Sequence, residues 1–305
     1  MLFSFSEYAL ISNALCGLTC LQPGQFSITR RENQELHAAV HNPVSGEHCF
    51  ILGTVAPPEQ QMASMLLLAH TLRKEGAKRI TAILPYLAYA REDHLIKPGE
   101  SFTTAWMGAV LKASGLDEIW TVDVHSEHDK EIIPVALESF SAAGLFGERI
   151  RNLGLSGASF VATDHGGIPR CEAVKAAAAA TSCDIVYFNK LRTPSGIVHS
   201  DPIGKVGPRA VIVDDILDTG RTLVSACEKL AGAGAEELYI FVTHGLFTGQ
   251  AWRDLWSLPV KHLFCSDTIP ACANINDPRI TTLPIGPLLC EKIAAQMDVK
   301  TTQRA

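Results

Sequence analysis

Short apolar runs alternate with helically spaced apolar positions along the whole chain. Cys49–Val55 is an apolar run stopped before Pro57 and Pro58, and it predicts a buried strand. Met62, Met65, Leu66, Ala69 and Leu72 then fall near one helical face, and Gly76 suits the helix end. Arg79–Leu84 predicts a second strand, Phe102–Ser114 a helix ended by Gly115, and Ile119–Val124 a third strand. The pattern then restarts. Strands are predicted over Phe160–Thr163, Asp184–Phe188, Ala210–Val213, Glu237–Thr243, Val260–Cys265 and Ile280–Leu283. Helices are predicted over Ile168–Ala180, Arg221–Ala233 and Pro287–Met297. Such alternation argues for parallel sheets covered by helices on both faces. The halves are alike in size, which suggests two α/β domains, and glycines clustered over 144–154 suggest the boundary.

Composition narrows the class. The 305 residues are 47% hydrophobic and 19% charged, which excludes a disordered, collagen-like or coiled-coil chain and leaves ample material for a core. At about 150 residues per domain, the length also suggests two domains. The net charge of −6 gives no reason to expect a nucleic-acid partner, and an anionic substrate would need local cations. Nine scattered cysteines contain no CxxC pair, so buried, reduced thiols of a cytoplasmic protein are expected. The apolar stretch from Tyr8 to Leu21 is interrupted by Ser12, Asn13 and Thr19 and has no basic residue before it, so neither a secretory signal nor a membrane span is expected.

The most informative stretch is Val211–Leu223, VIVDDILDTGRTL. A buried strand would deliver Asp214 and Asp215 to the C-terminal edge of a parallel sheet, where open α/β folds bind ligands. Their carboxylates can accept hydrogen bonds from vicinal sugar hydroxyls. Asp218, Thr219, Gly220, Arg221 and Thr222 then open a helix, whose first N–H groups and hydroxyls suit a phosphate. A diol and a phosphate at this separation describe a ribose 5-phosphate. The competing reading is a helix capped by Asp218 or Thr219, which leaves the two preceding acids unexplained.

This stretch resembles the phosphoribosyl-pyrophosphate (PRPP) motif shared by type I phosphoribosyltransferases and ribose-phosphate pyrophosphokinases. Collinear segments favour the second family. Pro85–Tyr86 with Tyr89-Ala90-Arg91-Glu92-Asp93 is similar to its ATP-site segment PYxxYARQD, and Val122-Asp123-Val124-His125 to VDLH. Asp164-His165-Gly166-Gly167 with Arg170 is similar to DxGGxxR, and Asn189-Lys190-Leu191-Arg192 to the catalytic DKRR-type loop. Thr243-His244 through Gly249 and Asp267-Thr268-Ile269-Pro270 complete the order.

The resemblance implies an α/β fold of two tandem phosphoribosyltransferase-like domains, each a mainly parallel sheet flanked by helices. The expected division is 1–146, with 291–305 packing back on it, and 147–290. It implies transfer of the β,γ-diphosphoryl group of ATP to the C1 hydroxyl of ribose 5-phosphate, giving PRPP and AMP. It further implies Mg²⁺ on the phosphates, held at His125 and Asp164, and catalysis by Lys190 and Arg192 from a mobile loop carrying Pro194 and Gly196. Arg192 would share the sugar phosphate with Asp214, Asp215, Asp218, Thr219, Gly220, Arg221 and Thr222. His125 is read as ending its strand, with Asp123 on the same face.

Arg91, Glu92 and His94, with Asn33, Gln34 and Glu35, would bind ATP. Here the chain departs from the family pattern. Glu92 stands where Gln is usual, and His94 where Arg or Lys is usual. Arg31–Glu35 replaces FxDGE, keeping only the final acid, in a loop that in the family reaches a neighbouring subunit's adenine. Arg221 replaces a small residue. A homo-oligomer, dimer or larger, is therefore expected, with two alternatives to the enzyme: a non-catalytic regulatory subunit, or a pyrophosphokinase with altered donor or sugar.

Overall fold

The computed structural model describes residues 1–92, 94, 99–180, 184–193 and 196–302, without the side chains of 190–193, 196–198, 273–274 and 296–302. The chain divides into two compact units, Met1–Phe140 with the segment from Gly286 onward, and Ser141–Ile285.

The first unit runs β1 (Leu2–Ser4), α1 (Ala9–Leu18), β2 (Phe26–Arg30), β3 (Leu36–Val40), β4 (His48–Leu52), α2 (Glu59–Lys74), β5 (Arg79–Ile83), α3 (Thr103–Ala113), β6 (Glu118–Val122), α4 (Asp129–Ile132) and β7 (Ala136–Phe140). The central sheet is parallel in the order β1-β4-β5-β6-β7, and β2 and β3 form a separate antiparallel hairpin. Strands β4, β5 and β6 are apolar runs buried along nearly their whole length, as expected of strands covered on both faces. Gly76 and Gly115 end α2 and α3 at φ +89° and +88°, a backbone that glycine adopts without a Cβ penalty.

The second unit runs α5 (Ala143–Asn152), β8 (Ser159–Ala162), α6 (Ile168–Ala177), β9 (Val186–Tyr187), β10 (Lys190–Thr193), β11 (Gly196–His199), β12 (Arg209–Leu217), α7 (Arg221–Gly232), β13 (Glu237–Gly245), β14 (Val260–Ser266) and β15 (Ile280–Leu283). Its main sheet is parallel in the order β15-β14-β13-β12-β8-β9, and β10 and β11 form an antiparallel ribbon. The last helix, α8 (Gly286–Thr302), belongs to the first unit. Cys290 Sγ donates to Ala14 O of α1 at 3.8 Å, and Lys292 forms an ion pair with Glu138 of β7.

Several elements lie outside the periodic reading. The apolar stretch at Tyr8–Leu21 is α1, which buries Ile11 and Leu15. The glycines at 144–154 fall in and around α5, at the start of the second unit. Gly147 presses on α6 so closely that a Cβ there would stand 2.5 Å from the carbonyl carbon of Ala177. Strand β6 ends at Val122, not Val124, because Asp123 turns to φ +40° and gives its N–H to Phe140 O at 2.8 Å. The expected strand alternation of Asp123 and His125 is therefore lost.

Gly144 lies in the same helix with open space around it. Gly147→Ala should destabilise by roughly 1–3 kcal/mol through overpacking against backbone, whereas Gly144→Ala should be neutral or stabilising. Urea unfolding of the two variants measures the difference. Equal effects would contradict the close helix contact.

Candidate active site

Strand order locates a crevice in the second unit. From β8 the chain goes first to β9 on one side, then to β12 on the other. Ligands of open α/β sheets bind at such a reversal, beyond the carboxyl ends of the strands. Strand β8 ends at Ala162, opposite Val213, while β12 continues beside β13 as far as Leu217 opposite Gly245. Asp214 and Asp215 are thus inside an extended β12, at the level where β8 has already stopped.

The acids are held on several sides. Asp215 N–H donates to Asp214 Oδ1 at 3.0 Å, and Thr163, just past β8, hydrogen-bonds the Asp214 carboxyl. Arg170, in the first turn of α6, places Nη1 3.7 Å from Asp215 Oδ1, and both side chains are largely buried. Burial first, then the neighbouring Asp215 carboxylate, pushes the Asp214 carboxyl well above the usual carboxylate range, against the opposing pull of Arg170 and Thr163.

The turn that follows is built for close approach. Gly220 is the N-cap of α7 at φ +85°, and a Cβ there would stand 2.5 Å from Trp252 Cα. Only glycine meets both demands. Neither Asp218 nor Thr219 is the N-cap, so the capped-helix reading of this sequence fails. Gly220 brings no side chain of its own to cap the first N–H groups of α7. The turn is fastened from behind: Leu246 and Phe247 N–H donate to Leu217 O at 2.8 and 3.2 Å, and Thr248 N–H to Asp218 O at 2.9 Å. Asp218 is half-buried, and Thr219, Arg221 and Thr222 are exposed.

Asp164 follows β8, beside Thr163, and its Oδ1 accepts the Gly167 N–H at 2.8 Å. Lys190 and Arg192, expected on a loop, lie on β10, paired with His199 and Ile197 of β11; their side chains and Pro194 are outside the described residues. The structure therefore gathers Asp164, Asp214, Asp215 and the start of α7 at one sheet edge. It adds residues that had been given no role: Thr163, Arg170, and the Leu246–Thr248 and Trp252 support. Arg170 was visible in the DxGGxxR-like segment. Trp252 carries no sequence signal, because its part is to leave room only for glycine.

In the first unit, Arg91, Glu92 and His94 follow β5, and Asp93 is outside the described residues. Glu92 Oε2 accepts from Thr103 Oγ1 at 3.0 Å and from Ser101 Oγ at 3.4 Å. His125 is exposed in the loop after β6. Asn33, Gln34 and Glu35 form the exposed β2–β3 turn, closed by Arg31 N–H to Glu35 O at 2.9 Å and by Asn33 Oδ1 accepting Glu35 N–H at 3.2 Å. Among the described residues no group of three or more His, Cys, Asp or Glu could hold a metal ion. Of the expected donors, the Asp164 carboxylate suits a hard cation that keeps several waters, whereas the His125 imidazole is an unusual ligand for Mg²⁺.

Comparison with known proteins gives these geometries a setting. Residues 1–115 match the family described as the N-terminal domain of ribose phosphate pyrophosphokinase, and residues 168–301 match the phosphoribosyl synthetase-associated domain. A ribose-phosphate pyrophosphokinase of Pasteurella multocida is 30% identical over 271 residues, covering 86% of this chain and 85% of that protein. One from Buchnera aphidicola is 29% identical over 297 residues, covering 96% and 94%. The crystal structure of phosphoribosylpyrophosphate synthetase from Mycobacterium smegmatis matches with a TM-score of 0.87 at 25% identity, covering 98% of each chain.

The raised Asp214 carboxyl sets a sign for pH dependence. The unfolded chain loses this proton near pH 4, as ordinary Asp does, whereas the folded pair keeps it to higher pH. Between those values the folded state binds more protons, so this contribution is fully present below about pH 4 and declines as pH rises toward the folded value. Asp214→Asn should flatten the decline. Thermal unfolding between pH 5 and 8 measures it, and an unchanged slope would contradict the assignment.

Proposed function

Since the chain belongs to the ribose-phosphate pyrophosphokinase family, we propose that it transfers the β,γ-diphosphoryl group of ATP to the C1 hydroxyl of ribose 5-phosphate, giving PRPP and AMP. The observation that carries this reading is the acid pair of β12 followed by the open start of α7, at the reversal of the second sheet. Asp214 and Asp215 accept from the ribose diol. The N–H groups after Gly220, with Thr219, Thr222 and Arg221, receive the 5-phosphate. Asp218 orients the turn between them.

The ATP-binding part falls to the Arg91–His94 segment, in which Arg91 and His94 meet the nucleotide, with Asn33, Gln34 and Glu35 at the adenine end. In the reaction the C1 oxygen forms a bond to the β-phosphorus as the bond to the α,β-bridging oxygen breaks. AMP leaves with that oxygen, and the hydroxyl proton passes to water. Lys190 and Arg192 offset the charge that builds on the phosphoryl oxygens, which is the main demand of such a transfer. Asp164 in the second unit and His125 in the first are each candidates for Mg²⁺, which would supply charge neutralisation on the triphosphate.

Among the described residues no helix is long and apolar enough to cross a membrane. Among the described cysteines, Cys49, Cys171, Cys227, Cys265, Cys272 and Cys290 are buried free thiols, Cys16 is half-buried and Cys20 exposed; unpaired thiols support a reducing, cytoplasmic setting. The exposed hairpin at Asn33–Glu35 supports a homo-oligomer in which this loop serves a neighbouring copy.

Pure protein given ATP, Mg²⁺ and ribose 5-phosphate should release AMP and PRPP in equal amounts. No AMP at any sugar concentration would favour a regulatory subunit, and equal AMP from another sugar phosphate would favour an altered acceptor. Lys190→Ala should cut turnover about a hundredfold with ATP binding largely kept, as for loss of one preorganised transition-state donor. Unchanged turnover would reject its role.

A further inference from the structure

Glu92 sits in the segment assigned to ATP, yet its carboxylate has protein partners. Oε2 accepts from Thr103 Oγ1 at 3.0 Å and from Ser101 Oγ at 3.4 Å. Thr103 is the first residue of α3. Its N-cap, Phe102, makes no side-chain capping bond, and the first turn of α3 holds no acid. A carboxylate brought from outside therefore supplies the negative charge that a helix start favours.

The hydrogen arithmetic supports this placement. Thr103 Oγ1 also lies 3.0 Å from Tyr89 O, and one hydroxyl has one proton to give. Thr104 Oγ1 lies 3.3 Å from the same carbonyl and can serve it, leaving the Thr103 proton for Glu92. Tyr89 itself is held at φ +66°, a conformation unfavourable for an aromatic residue. Its ring packs edge-on against Trp106 of α3 with centroids 5.4 Å apart, and its hydroxyl reaches Glu59 at the start of α2 at 3.5 Å. Arg91 lies between two residues, Tyr89 and Glu92, that are both tied to the start of α3.

We propose that Glu92 is a positioning residue: it fastens the Tyr89–Glu92 segment to the first turn of α3 and so sets where Arg91 meets the triphosphate, without itself touching the adenine. This accounts for an acid where the family it resembles usually has Gln. The amide could accept the same hydroxyl, but it would bring no charge to the helix start. The role rests on the reading that this segment receives ATP.

The test is steady-state kinetics on the full chain with Mg·ATP and Mg·GTP. Glu92→Ala and Thr103→Val should each raise the KM for ATP about tenfold, the worth of one net hydrogen bond. The double variant should be no worse than either alone. The KM for ribose 5-phosphate and the ATP:GTP preference should stay put, and Glu92→Gln and Thr103→Ser should each retain near-normal KM. These two conservative variants keep the acceptor or donor oxygen and carry the test if an alanine or valine variant does not fold. A silent Thr103→Val beside a defective Glu92→Ala, additive effects, or an altered ATP:GTP preference would overturn the assignment. So would a Glu92→Gln as impaired as Glu92→Ala. A wild-type chain that forms no AMP would instead overturn the ATP-site reading, and this role with it.

Discussion

Two adjacent carboxylates at the end of a buried parallel strand repel one another and resist losing water, and the architecture of the second unit is arranged around that conflict. Asp214 and Asp215 cannot both be ionised without compensation. Arg170 comes from α6, Thr163 from the end of β8, and the Asp215 N–H from β12 itself. Strand β8 stops short and β12 runs on, so the acids open into a crevice where strand order reverses. A ligand that donates hydrogen bonds to both carboxylates favours their charged form and displaces the retained proton. A sugar diol is such a ligand.

The same constraint accounts for what was legible beforehand. The strand, the acids and the glycine of VIVDDILDTGRTL are local signals, and they pointed to both the crevice and the ligand class. The long parallel strands were legible because they are buried on both faces and read as apolar runs. Short or exposed elements were not: β1 has three residues, and the hairpin β2–β3 is exposed at its turn, while β9, read as Asp184–Phe188, has only two residues in the sheet. Helices α1 and α5 contain glycines or polar residues that break the periodicity, and Gly147 brings α5 close to α6. Tertiary support is equally silent in sequence. Trp252 and the Leu246–Thr248 amides define the turn at Gly220 from behind, and nothing in their spacing announces it.

A chain of net charge −6 binds two anionic substrates, on this account, because its charges are sorted. On the proposed function, acids serve the diol at Asp214 and Asp215 and the metal at Asp164, and Glu92 serves a helix start. The cations the proposal assigns to the substrates are Arg91 in the first unit and Arg221, Lys190 and Arg192 with the start of α7 in the second. Apart from Arg221 in the second unit, the departures named above fall in the nucleotide half, and Glu92 shows how one can be absorbed: a changed side chain takes up a partner in its own unit.

The central claim is that burial and the neighbouring carboxylate hold the Asp214 carboxyl well above the usual range, so that on the proposed reading a ribose diol binding there releases a proton. Calorimetric titration of ribose 5-phosphate into the protein near pH 7, in two buffers of different ionisation enthalpy, counts the protons released on binding. The wild-type chain should release more protons than Asp214→Asn and bind more tightly, the variant providing the correction for the ligand's own phosphate. Equal proton release and equal affinity in the two proteins would contradict the account.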